Sequence, residues 1–194
     1  MKSKELSTLA CLLSGALFTS QSATAGDHVI IVKGGSYTLE NTNQVISAFP
    51  STVTAVFEED DDTLAIEYDH VFSNGVSIGG GYQAFSLSYT SNAGAGDVDA
   101  SFFMFNSKYH FSNSNFKPFI GASAGVALTD FNGAVIGNTI GFAVAGTAGF
   151  RWQFSTVGIY AEYKNYFSAD TEDSLDAEVD LAGESITGGI SISF

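Results

Sequence analysis

Cysteine is almost absent from this chain of 194 residues: the only one is Cys11. It precedes most of the N-terminal apolar run, whereas a lipidated cysteine would follow such a run, so lipidation at Cys11 is not expected. The remaining chain can form no disulfide and offers no thiolate as nucleophile or metal ligand. Disulfide scaffolds and thiolate chemistry are therefore excluded.

Basic residues are also scarce, with seven Lys and Arg against 21 Asp and Glu. From Gly26 onward five bases face twenty acids, a net charge of −15. Such a surface repels nucleic acid, and it repels anionic lipid headgroups unless cations bridge them. We therefore expect no nucleic-acid partner. The abundance of Phe, Tyr, Ile and Val argues against the disorder that acidity alone would suggest.

Long apolar runs are missing as well. No segment after residue 25 approaches the roughly 18 uninterrupted apolar residues of a transmembrane helix. The N-terminus, MKSKELSTLACLLSGALFTSQSATA, has the basic start, short apolar centre and small-x-small ending of a secretory signal peptide. We predict that residues 1–25 are a cleaved signal and that residues 26–194 form one domain.

Phe recurs about every 40 residues: Phe72, Phe111, Phe154 and Phe194 are separated by 39, 43 and 40 positions. The first three precede short polar turns. Between them, apolar and polar residues alternate with a period of two, as in TLAIEYDHVF and GFAVAGTAGFRWQF, which indicates β-strands. Each repeat then contains two strands, and four repeats predict eight strands, near 28–39, 62–72, 76–89, 98–111, 117–129, 141–154, 157–167 and 179–194.

This pattern predicts an all-β fold, an eight-stranded antiparallel transmembrane β-barrel with up-and-down meander topology. The apolar strand faces would contact lipid, and aromatic residues at the strand ends would form a periplasmic girdle. A secreted β-sandwich is the alternative with the same alternation. The predicted girdle comprises Phe72, Tyr109, Phe111, Trp152 and Phe154, with Phe194 closing the series. Short turns are expected at 73–75, 112–116 and 155–156, and long acidic connections at 40–61, 90–97, 130–140 and 168–178.

The opposite strand faces carry charged residues, which would point into a lumen just wide enough for side chains. Buried charges must pair, so three acids and three bases would form a plug, and a narrow conduit is the alternative. We expect Arg151 to pair with Glu67 or Glu162. Val144→Arg on the lipid face should impair assembly far more than Thr147→Arg in the lumen. The predicted lumen network is Glu67, Asp69, Lys108, Arg151, Glu162 and Lys164.

The stretch FKPFIGASAGVAL (116–128) resembles a glycine-rich strand of small outer-membrane barrels of the OmpA, OmpX and OmpW kind. Together with VGIYAEYKNY (157–166) and the ending TGGISISF, the resemblance covers essentially all of the chain after residue 25. The ending also resembles a barrel-assembly signal, carried by Thr187, Gly189, Ile192 and Phe194. The resemblance implies the outer membrane of a Gram-negative envelope. Its implied partners are outer-membrane lipid, lipopolysaccharide and the barrel assembly machinery.

The resemblance specifies architecture better than function. We expect a closed structural or surface-interaction barrel with acidic loops, without cofactor or enzymatic activity. His70 and Ser73 are three apart and point to opposite faces, unlike the His and Ser of barrel deacylases. No peptidoglycan-binding domain is expected after the last strand. Acidic stretches such as Asp60-Asp61-Asp62 are candidate sites for divalent cations, although their spacing lacks an EF-hand pattern.

An OmpW-like narrow channel for small hydrophobic molecules is the alternative function. The connection 40–61 supports it, because it is unusually apolar for an exposed loop. Its apolar residues would cover a pocket at the barrel mouth, or would merely extend the adjoining strands. They are Val45, Ile46, Phe49, Val53, Val56 and Phe57.

Overall fold

The computed structural model describes residues 26–48, 51–58, 60–92, 94–112, 114–132, 138–172 and 178–194. Within these residues, no helix is long and apolar enough to cross a membrane. The predicted signal peptide and Phe49 lie outside them. The strands are β1 (Gly26–Leu39), β2 (Asn43–Ala48), β3 (Ser51–Phe57), β4 (Asp60–Phe72), β5 (Val76–Ser91), β6 (Gly94–His110), β7 (Phe116–Asn132), β8 (Thr139–Phe154), β9 (Val157–Glu172), β10 (Glu178–Asp180) and β11 (Gly183–Ser193).

Eight of these strands form a closed antiparallel barrel in the order β1, β4, β5, β6, β7, β8, β9 and β11. The ring closes where β1 pairs with β11, in a register from Val29↔Ser193 to Leu39↔Gly183. Closure removes free sheet edges, so the wall satisfies its own backbone hydrogen bonds. The predicted eight-stranded meander barrel is confirmed, and the β-sandwich alternative is wrong.

Short turns and long connections lie at opposite ends of the barrel, which we call the turn end and the loop end. At the loop end the strands are longer than predicted. β5 continues to Ser91 and β6 begins at Gly94, so 90–97 is a tight hairpin and not a long connection. Outward polar side chains stabilise this extension across the strands: Ser86 Oγ donates to Asp99 Oδ1 (2.8 Å) and Ser88 Oγ donates to Asp97 Oδ1 (2.9 Å).

The connection between β1 and β4 folds into an ordered hairpin, β2–β3, which we call the cap hairpin. Its outer strand pairs with β5, from Ala55↔Ser91 to Phe57↔Tyr89. Its inner strand reaches the segment before β11, where the Gln44 side chain binds Asp180. Because β5 and β9 are third and seventh in a ring of eight strands, the cap hairpin spans the loop-end mouth.

The strand faces alternate as the sequence predicted. Val144 is half-exposed on the outer face, whereas Thr147 is buried in the interior. Glycines on the inner face leave space for the backbone and the side chains of the neighbouring strands. A Cβ on Gly121 would lie 2.8 Å from Lys108 Cγ, and one on Gly189 would lie 2.6 Å from Lys33 Cα.

Candidate functional site

The turn-end half of the interior holds an ionic network. All six charged side chains of the predicted lumen network lie inside the barrel, each no more than 3% exposed. A seventh, Lys33, is also buried and was missed by sequence reasoning. In HVIIVKGG both faces are apolar around the lysine, so the alternation there does not reveal which face points inward. Only the pairing of β1 with β11 decides it.

Lys108 is the most connected member of the network. Its Nζ forms an ion pair with Glu67 and lies 3.1 Å from Asp69 Oδ2 and 3.6 Å from Glu162 Oε2. It also donates to the Tyr160 hydroxyl at 2.9 Å, and that hydroxyl donates to Glu162 Oε2 at 2.8 Å. Each carboxylate around Lys108 is therefore compensated by charge and by hydrogen bonding.

Lys33 and Lys164 complete the network. Lys33 Nζ lies 2.9 Å from Glu67 Oε2 and also pairs with Glu162. Lys164 Nζ lies 3.6 Å from Glu162 Oε1. Signs alternate along this chain of contacts, so three lysines neutralise three carboxylates within a space closed to solvent.

Arg151 does not belong to these ion pairs, and the expected pairing with Glu67 or Glu162 is wrong. Among the described residues, no carboxylate lies within ion-pair distance of its guanidinium, and its Nε and Nη2 have no hydrogen-bond partner. The register explains the difference: Arg151 is opposite Tyr160, whereas Glu162 is opposite Gly149, two residues farther from the turn end.

The loop-end half of the interior is predominantly apolar, with few buried polar side chains such as Thr139 and Thr171, which corrects the expectation of a polar lumen throughout. Two stacked pairs of rings fill its centre, with centroids 4.0 Å apart for Tyr37–Phe85 and 4.3 Å apart for Phe102–Tyr166. Both tyrosine hydroxyls have hydrogen-bond partners: Tyr37 donates to the Leu181 carbonyl, and Tyr166 donates to Gln83 Oε1 at 2.8 Å. We call this region the aromatic chamber.

The cap hairpin closes the aromatic chamber. Ile46, Val53 and Phe57 are buried, whereas Val45 and Val56 are 68% and 48% exposed. The described apolar residues of 40–61 thus form a two-faced hairpin and do not simply extend the neighbouring strands. Gln44 fastens it, since its Nε2 donates to the Asp180 carbonyl (2.7 Å) and its Oε1 accepts from the Asp180 N–H (3.0 Å).

The predicted girdle residues lie on the outer face at the turn end. Their exposed fractions run from 39% for Phe72 to 57% for Phe111. His70 lies on the same face, with ring centroids 4.7 Å from His28 and 4.6 Å from Phe72, whereas Ser73 is in the turn. The girdle also includes Tyr109, Trp152, Phe154 and Phe194.

The proposed assembly-signal residues lie in the last strand or directly after it. Thr187 and Gly189 face the interior, and Ile192 and Phe194 face outward. Phe194 exchanges two backbone hydrogen bonds with His28, at 2.9 and 3.1 Å, and so helps to close the barrel seam. This geometry has a structural explanation, and the assembly signal stays a prediction.

Acidic side chains surround the loop end. The five bases after residue 25 are Lys33, Lys108, Lys117, Arg151 and Lys164, and all of them lie in the interior or at the turn end. In the described part of the chain, no group of three or more His, Cys, Asp or Glu is arranged to hold a metal ion. The side chain of Asp60 and residues 173–177 lie outside what the structure describes. Among the described residues, the exposed acids at the loop end are Glu40, Glu58, Asp62, Asp97, Asp99, Asp130 and Glu184.

The chain is similar in structure to two outer-membrane proteins. The outer membrane protein OprG from Pseudomonas aeruginosa matches with a TM-score of 0.72 and 14% identity, over 89% of this chain and 98% of that one. Neisserial surface protein A (NspA) matches with a TM-score of 0.61 and 11% identity, over 87% and 97%. No protein-family model and no curated protein matches the sequence. The fold is that of small outer-membrane β-barrels.

Proposed function

We propose that this chain is an integral outer-membrane protein that forms a closed barrel and presents an acidic surface outside the cell. The main support for this proposal is the apolar outer surface of the barrel wall. From Leu64 to Phe72 and from Ile186 to Phe194, outward side chains are predominantly apolar over nine residues, which matches the about 9–11 residues of a tilted transmembrane strand. The turn end, with its aromatic girdle, would face the periplasm.

On β5 and β6 the polarity of the wall reverses above this band. On β5 the residues Phe85 and Leu87 point inward while Ser86 and Ser88 point outward. This is the arrangement of a water-soluble barrel, which supports a loop end that projects beyond the lipid. The outward Tyr82 and Phe103, with ring centroids 4.8 Å apart, would then lie at the outer interface.

Side chains block both halves of the interior, which supports a closed barrel. The ionic network fills the turn-end half, and the aromatic chamber and its cap fill the other. Between them lies a void of about 10 Å³, lined by residues that include Lys33, Glu67 and Tyr166. A space of this size holds about one water molecule and is too small for a solute.

We predict that the refolded protein inserts into planar lipid bilayers without producing discrete conductance steps. The physical reason is that buried ion pairs and stacked rings leave no continuous water path. Insertion should be verified in the same preparation by protease protection of the turn end in vesicles and by heat-dependent migration on a semi-native gel. Reproducible unitary steps from inserted protein would contradict the closed barrel.

The proposed surface role rests on charge. Because the loop end carries acids and no bases, we infer that it meets the phosphates of lipopolysaccharide only through bridging divalent cations. Insertion would use the barrel assembly machinery, which would receive the C-terminal strand by strand addition. The proposed role is one of binding and structure, without catalysis.

Transport of small hydrophobic molecules is the second candidate, and the aromatic chamber favours it. An apolar molecule that enters beneath the cap hairpin would find aromatic walls and few competing polar groups. Saturable binding of an apolar naphthalene dye, tighter in Gln44→Ala than in the wild type, would support this role. Binding of the dye that never saturates would count against it.

We predict that the Gln44 contact holds the cap shut. Leu87→Cys places the only thiol after residue 25 under the cap, at a position with 0% exposure. Loss of two hydrogen bonds, worth about 0.5–1.5 kcal/mol each, should speed the reaction of this thiol with a polar maleimide roughly tenfold when Gln44→Ala is added. Ser88→Cys, next along the strand but facing outward, is the control. Its thiol should react at the same rate with and without Gln44→Ala. Equal rates for the Leu87→Cys thiol with and without Gln44→Ala would show that the cap stays shut without Gln44.

A further inference from the structure

We propose that the turn end of the interior binds a small oxyanion, of the class of inorganic phosphate, between Arg151 and Lys117. This inference goes beyond the proposed role of the barrel as a closed surface protein. It would give the periplasmic face of the barrel a ligand that the acidic outer face repels.

The charge inventory of the interior requires a further negative charge. Lys33, Lys108 and Lys164 use all three carboxylates of the ionic network in their ion pairs. Arg151 is buried at 2% exposure and adds a fourth positive charge to this space. An isolated buried charge is strongly unfavourable, so a counterion is expected at Arg151.

The unpartnered atoms of Arg151 define the chemistry of that counterion. Nε and Nη2 carry the two N–H groups along one edge of the guanidinium, and both lack a partner. Two parallel N–H groups in this geometry bind two oxygens of one carboxylate or phosphate. The free edge therefore suits an oxyanion better than a halide.

Lys117 provides a second positive charge at the same place. It is directly opposite Arg151 across the β7–β8 pairing and projects from the same face of the wall. Like charges opposite each other destabilise a sheet, and an anion between them reverses that effect. Lys117 is half-buried, so the site is reached from the turn end. On the neighbouring β6, His110 is buried and its Nδ1 has no partner; it offers a further donor in the tautomer in which Nε2 accepts from Ser77 Oγ.

Two carboxylates of this chain compete for the role of counterion. Asp27, exposed on the barrel rim, and Asp69, whose Oδ1 has no partner, both attract Arg151 electrostatically, but neither is within the 4.0 Å of an ion pair. If either one reached Arg151 in solution, no external anion would be needed. The experiment must separate these arrangements.

The test is thermal unfolding of the full barrel in detergent, with increasing phosphate at constant ionic strength set by sodium chloride. We expect the wild-type midpoint to rise with the logarithm of the phosphate concentration once this exceeds the Kd, since a ligand that binds only the folded state stabilises it by RT ln(1 + [L]/Kd). Arg151→Met should abolish this logarithmic rise and leave only the general salting effect of phosphate. Lys117→Met, at a half-buried position, should weaken the apparent affinity several-fold. Arg151→Lys should also bind more weakly, because the charge remains and the paired N–H groups are lost.

Asp27→Asn identifies the competing arrangement. If phosphate is the ligand, this variant should bind it more tightly because a nearby negative charge is gone. An unchanged wild-type midpoint in phosphate, or an equal rise in Arg151→Met, would refute the site. A drop in the midpoint of Asp27→Asn in chloride, with no phosphate effect in the wild type, would assign Asp27 as the counterion and refute it as well.

Discussion

Lys108→Met is expected to destabilise the folded barrel by about 3–5 kcal/mol. Lys108 is the one described base within ion-pair distance of Asp69, and Asp69 is 2% exposed. Its replacement by an apolar chain of similar length would leave this carboxylate buried without compensation. The measurement is thermal or urea unfolding in detergent, read as the loss of the compact band on a semi-native gel.

A second substitution and a matched control make this test specific. Lys108→Met with Asp69→Asn should recover part of the loss, because the unpaired charge is removed. Arg151→Met is the control: it also removes a buried base, but none that the structure places in an ion pair, so in chloride it should cost far less. If the two single variants unfold at the same midpoint, water screens the charges of the network and the interior is not closed to solvent.

Ala124→Arg should destabilise the barrel in lipid by about 2–4 kcal/mol, because it places a charge on the outer face near the middle of the membrane. Ala95→Arg is the matched control. It makes the same change on the same face, but at the loop end, where the expected cost is about 0–1 kcal/mol. Both alanines are exposed. The free energy of unfolding in lipid vesicles is the quantity to compare, and equal costs would contradict the proposed membrane boundary.

The structure makes Ala124→Arg and Ala95→Arg a sharper comparison than Val144→Arg and Thr147→Arg. Thr147 does face inward, as predicted, but it is 6% exposed and its Cγ2 would lie 3.0 Å from a Cβ on Gly121. An arginine there would overlap its neighbours and add positive charge beside Lys164, which lies opposite in the register. The expected difference between the two variants did not allow for how tightly side chains pack around Thr147, so both variants should fail to assemble.

The sequence by itself determined the eight barrel strands and the facing of most of their residues, but not β2, β3 or β10. These properties follow from local alternation with a period of two, which any stretch of strand displays in its own residues. Glu67, Asp69 and Glu162 could be assigned to the interior for that reason, as could the girdle ring of Trp152 to the outer wall. The alternation did not assign Lys33, because apolar residues occupy both faces of its strand.

Only the tertiary structure decided which interior charges meet. Lys108 lies 41 positions from Glu67 and 54 from Glu162, and the tilt and stagger of the strands bring the three together. The same stagger keeps Arg151 away from the carboxylate it was expected to meet. The cap hairpin and the apolar loop-end interior likewise depend on contacts between distant segments, such as Gln44 with Asp180. The direction in which a side chain points is set within its own strand, whereas the side chains that it meets depend on the register between strands. That register exists only once the barrel has closed.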